Sequence, residues 1–159
     1  MNFSDGSAML FAKFFHLLGL TIWVGGMFFA HMALRPALGV LHPEQRLSLM
    51  AAVLANFFIW VWVAIALVLG SGLHMMAMMG AGAAKLPPYV HAMTGIGIVM
   101  MLIFAHIFFA PFRRLKLAAA QQDWDRASRA LRQVRMLVGI NLCLGLLTIA
   151  IGALGPLSV

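Results

Sequence analysis

Five histidines stand inside long apolar runs of this 159-residue chain: His16, His31, His74, His91 and His106. A polar side chain within such a run costs free energy, so each calls for a partner. Two intervals match, since His16 to His31 and His91 to His106 are both fifteen residues. On a helix that is a rise of roughly 22 Å with a residual turn of about 60°, so each pair shares one broad face. Two parallel helices carrying these pairs would present imidazoles at two depths. Imidazole is a good axial ligand for haem iron, and a bis-histidine site leaves no open position, which suits electron transfer. The spacing therefore points to haem b, one group held by His16 with His91 and a second by His31 with His106. Arg35, Arg113 and Arg114 stand near the latter pair, where guanidinium could meet haem propionates. A plainer reading gives each histidine only an interhelical hydrogen bond, with Gly19, Gly25, Gly26, Gly95 and Gly97 serving helix packing.

A second constellation is His74-Met75-Met76-Ala77-Met78-Met79. Thioether and imidazole together suit Cu(I), a soft ion. Met75 and Met79 share a helix face at i,i+4, and with His74 they form an alternative copper set; Met76 and Met78 point elsewhere. His74 also stands at a depth where it could replace or supplement His91 opposite His16. The plain reading is packing, because methionine fills irregular gaps and the chain has 13 of them.

Other chemistries lack their residues. The chain has no phosphate loop, nucleophile elbow, CxxC or HExxH. Its acidic residues are Asp5, Glu44, Asp123 and Asp125, all outside the apolar runs. They supply neither a carboxylate relay through a membrane nor the main ligands of a buried metal. Cys143 is alone, so no intrachain disulfide forms. His42 lies in a loop and reads as solvated.

The elements that must position these side chains follow from composition. Hydrophobic residues make up 64% of the chain and charged ones 9%, too few charges for a water-soluble shell. Four stretches lack any Asp, Glu, Lys or Arg: Phe14 to Leu34, Leu47 to Ala84, Leu86 to Phe112, and Met136 to Val159. Each reaches the ~20 residues that cross a bilayer, and only helices satisfy their own backbone there. The expected fold is all-α, an integral membrane four-helix bundle in one domain over 1–159. Its helices fall at approximately 8–34, 50–79, 87–116 and 126–156. Arg35-Pro36 ends the first, and Gly80-Ala81-Gly82 with Pro87-Pro88 turns the second into the third. The third and fourth extend beyond the membrane and join near Gln121 and Gln122.

Net charge is +7, yet its placement argues against nucleic acid. Nine of eleven Lys and Arg residues lie in Arg35 to Arg46 and Arg113 to Arg135, between apolar runs. Cytoplasmic loops attract such residues. The basic loops are therefore expected inside, both termini outside, in a bacterial inner (cytoplasmic) membrane. The N-terminus, with Asp5 and a long apolar stretch, reads as a retained helix rather than a signal peptide.

Phe15-His16-Leu17-Leu18-Gly19 through Trp23-Val24-Gly25-Gly26-Met27-Phe28 resembles the CopD and HemJ group of small bacterial membrane proteins. The resemblance continues at Arg35-Pro36 and at Val90-His91-Ala92. It implies either copper uptake or resistance, as in CopD-like proteins, or the haem-binding protoporphyrinogen oxidase activity of HemJ proteins. It also implies that His16 is a functional ligand and His91 a candidate. The chain departs from the HemJ pattern at Met93, where that family has lysine, and at Val138-Gly139-Ile140-Asn141, where it has an acidic, proline-bearing segment. Residues and resemblance together give a leading expectation of a membrane haem b protein in electron transfer or oxidoreduction, with copper handling as the alternative. Its expected partners are the lipid bilayer and a quinone or redox protein; homo-oligomers are left open.

Overall fold

A computed structural model describes residues 3–79 and 86–158. The expected Gly80–Gly82 turn and Lys85 lie outside the described residues, as does the Asp5 side chain. Four helical spans are long and apolar enough to cross a membrane: Gly6–Val40, Pro43–Met78, Pro88–Ala120 and Trp124–Leu154. No strand occurs among the described residues.

Proline and capping residues set the starts. Pro43, Pro88 and Pro111 each occupy the first helical turn, where the missing N–H costs nothing. The second span therefore begins at Pro43, before the charge-free stretch, and His42 precedes it with its N–H donating to Gln45 Oε1 at 3.4 Å. Ala110 (φ −113°, ψ −83°) breaks the third span just ahead of Pro111, giving Pro88–Phe109 and Pro111–Ala120. A proline disfavours the helical conformation of its predecessor, and that is the reason for the break. Between the third and fourth spans the chain turns at Gln121 and Gln122, the latter at φ 56°. Asp123 then caps the fourth span, accepting from Arg126 N–H at 2.9 Å.

Consecutive spans run antiparallel. The first packs along the second, and the third along the fourth, so the first and third stand diagonally. One end of the bundle holds the start of the first span and the end of the fourth, and will be called the terminal end. The other holds the two basic loops and will be called the basic end.

The first span departs from the regular helix that fifteen-residue spacing assumes. Thr21–Gly25 and Ala30–Leu34 are π-helical turns. Each takes up about one additional residue and rotates whatever follows by roughly 100°. Local chemistry accounts for both. Thr21 Oγ1 donates to the Leu17 carbonyl at 2.8 Å, competing with the backbone at the start of the first. Pro36 follows the second and withholds an N–H from the helical ladder.

At mid-depth and toward the basic end the core is aromatic. Phe58 packs edge-on against Phe104 and Phe112 at centroid separations of 5.4 and 4.8 Å. Trp23 and Trp62 flank Phe104 at 6.2 and 5.2 Å. These side chains tie the first three spans together, and edge-to-face pairs add about 0.5–1.5 kcal/mol each beyond area burial. Leu115, Ala118, Ala127, Leu131 and Val134 continue the buried core toward the basic loops.

Glycines let the spans close at particular points. A Cβ on Gly19 would lie 2.8 Å from Val68 Cγ2 and 3.0 Å from the Ala64 carbonyl, so the first two spans meet backbone to backbone there.

Candidate metal centre

His16 lies on the first span, half-buried, with Nδ1 3.0 Å from Ser71 Oγ on the second. Ser71 is buried, and its hydroxyl donates to the Leu67 carbonyl one turn back. A serine hydroxyl has one hydrogen to give. With that hydrogen on Leu67 O, Oγ can accept from His16, an arrangement that would put the ring proton on Nδ1 and leave the Nε2 lone pair free. A metal-binding imidazole is commonly oriented by a hydrogen bond from its other ring nitrogen in this way.

The His16 ring borders a cleft of about 580 Å³ between the first and fourth spans. Leu20, Thr21 and Val24 line one side, Thr148 and Gly152 the other, and Met93 enters from the third span. Both threonine hydroxyls are spent on carbonyls within their own helices, each at 2.8 Å. That leaves the His16 imidazole and the Met93 thioether as the side-chain donors of the cleft. Gly152 makes room for Met93: a Cβ there would fall 2.9 Å from Met93 Cε and 3.3 Å from Sδ.

A second cleft, of about 400 Å³, opens between the first and second spans. Phe11, Phe15, Gly70, Ser71 and His74 are among its walls. The His16–Ser71 bond is thus a partition, with His16 facing one cleft and Ser71 the other. His74 is exposed and belongs to the second cleft. Met75 is half-buried and Met79 is exposed, and neither lines either cleft.

His31, beyond the first π turn, faces a different neighbour. Its ring packs at Gly139 of the fourth span, with Cε1 3.4 Å from the position a Cβ would take. Two residues on, Asn141 is 1% exposed and its Oδ1 has no partner. His91 is exposed with Nδ1 3.3 Å from the Pro87 carbonyl, and His106 is exposed as well. The equal spacings therefore place His16 against the second span and His31 against the fourth, while His91 and His106 lie exposed on the third. Arg113 and Arg114 are exposed, Arg114 reaching Gln133 Oε1 at 3.5 Å; Arg35 is exposed at the end of the first span.

Among the described residues no three His, Cys, Asp or Glu side chains converge on one point. A site at His16 would instead be completed by sulfur. Ser71 and Met93 were not among the residues singled out as ligands from the sequence. Each had a signal, Ser71 as a hydroxyl one turn before His74 and Met93 as a thioether two residues after His91.

One comparison with known proteins bears on the family of this chain. A family model described as CopD, copper resistance protein D, matches residues 51–154, nearly all of the second span through the fourth. The first span, with His16 and His31, precedes the matched region. No curated protein and no solved structure matches. With a match over well more than half of its length, and four apolar spans, this multi-pass membrane chain belongs to the copper resistance protein D (CopD) family.

Proposed function

We propose that the protein handles Cu(I) as cargo within the membrane, receiving it between His16 Nε2 and the Met93 thioether. The observation that carries this reading is the His16–Ser71 contact beside a cleft that also holds a thioether; with Ser71 donating to Leu67, this contact would leave His16 Nε2 unprotonated. Imidazole and thioether are donors that soft Cu(I) accepts, and neither brings a negative charge. A neutral pair suits an ion that must later be released. His74, exposed at the neighbouring cleft, is a first contact for an arriving ion, with Met75 and Met79 close by in sequence. The basic loops would face the cytoplasm, which puts the terminal end, and the copper site near it, on the outer side of a bacterial inner membrane.

The family match favours this reading over haem. Two haem b groups would need His16 opposite His91 and His31 opposite His106, yet His16 turns to the second span and His31 to the fourth. A reduced-minus-oxidised visible spectrum, with haem and copper quantified per chain, separates the two. Near two b-type haems per chain would restore electron transfer.

The direct test is a titration of purified protein with Cu(I) against a chromophoric chelator. One tight site per chain is expected, lost in both His16→Ala and Met93→Leu. A tight site that survives both substitutions sinks the assignment.

A further inference from the structure

Arginines of three different spans lie at the basic end: Arg35 near the end of the first, Arg46 in the first turn of the second and Arg135 on the fourth. Arg135 stands within electrostatic reach of both others. Arg46 is held in place by its own loop, with one terminal nitrogen donating to the Leu41 carbonyl at 3.1 Å and to Gly39 at 3.4 Å. Yet Arg46 Nε and Arg135 Nε are both shut off from solvent with no acceptor. The described carboxylates Glu44, Asp123 and Asp125 are exposed, and none is ion-paired with these arginines.

Arg135 facing two like charges, with no described carboxylate to offset them, is unfavourable, and a shielded guanidinium N–H without an acceptor adds to the cost. Both deficits have one remedy, an anion rich in acceptor oxygens. Guanidinium forks match phosphate oxygens in geometry as well as charge. The location narrows the source, because the apolar run of the fourth span begins at Met136, directly after Arg135. Phospholipid headgroups lie at such a boundary, and basic pockets between helices bind anionic ones.

We propose that Arg35, Arg46 and Arg135 form a binding site for a phosphate-bearing anion, supplied by an anionic phospholipid headgroup or by free phosphate. The site is separate from the copper cleft near the terminal end and does not depend on that reading.

The test is the melting midpoint of the full-length protein in neutral detergent. It is measured alone and with phosphatidylglycerol, phosphatidylcholine or inorganic phosphate. Phosphatidylglycerol at ten times its dissociation constant is expected to raise the midpoint by roughly 3–6 °C, with no comparable rise from phosphatidylcholine. An equal rise with inorganic phosphate alone would support the site and name the free anion as its source. Arg46→Gln and Arg135→Gln should abolish the rise, and Arg35→Gln, at an exposed position that does not threaten folding, should weaken it. Arg129→Gln, also exposed, should leave it intact. No rise with either anion, an equal rise with phosphatidylcholine, or a full rise in all three variants of the site would overturn the proposal.

Discussion

The two halves of the bundle solve different problems with the same four spans. From mid-depth toward the basic end, Phe58, Phe104 and Phe112 interlock and the core continues through Leu115 to Val134. Toward the terminal end two clefts lie on either side of the His16–Ser71 bond, and buried polar side chains such as Ser71 and Thr148 replace aromatic rings. The contrast separates stability from chemistry. Dense packing holds the spans at one end, so that the other can keep open space beside the His16 imidazole that we propose as a copper ligand.

The sharpest way to break that division is to damage the packed half and measure both properties. Phe58→Ala removes a ring that touches Phe104, Phe108 and Phe112, and should cost about 3–5 kcal/mol of stability. Reversible unfolding in mixed micelles checks the loss, and Cu(I) affinity of the folded fraction should stay unchanged. A parallel fall in affinity would merge the two halves into one functional unit.

The next largest effect lies in the open half. His16→Ala should weaken Cu(I) binding by roughly 100-fold, since even partners that merely orient a ligand are worth 10–100-fold. Its unfolding midpoint should move far less than that of Phe58→Ala. Ser71→Ala keeps the imidazole but releases its tautomer, and should weaken Cu(I) binding by about 10-fold. Chelator competition measures both, and equal affinities for Ser71→Ala and the unaltered protein would remove the relay from the account. The smallest effect belongs to His106→Ala, on the exposed surface of the third span, which should change neither affinity nor stability. A loss of bound haem in that variant would instead revive the two-haem arrangement.

Much of the architecture was legible because lipid leaves few options. Charge-free runs had to be helices, and the prolines, Gln122 and Asp123 mark where those helices start or turn. The CopD resemblance, read at His16 and Arg35-Pro36, agrees with a family match that covers the other three spans. Side-chain direction was harder to read. The fifteen-residue intervals assume an unbroken 3.6-residue turn, whereas the π turn at Thr21–Gly25 rotates His31 away from the side of His16. Met93 stands two residues after His91, a weak signal in an apolar chain with 13 methionines, and its contact with Gly152 of the fourth span reveals where its sulfur sits. The arginine cluster was hidden for a related reason. Positive-inside bias explains the number of basic residues but not which of them converge.

The most direct measurement is copper K-edge X-ray absorption on Cu(I)-loaded protein, compared with Met93→Leu. One nitrogen and one sulfur scatterer are expected in the first shell, with the sulfur lost in the variant. A copper shell that contains no sulfur, or keeps its sulfur without Met93, would contradict the site.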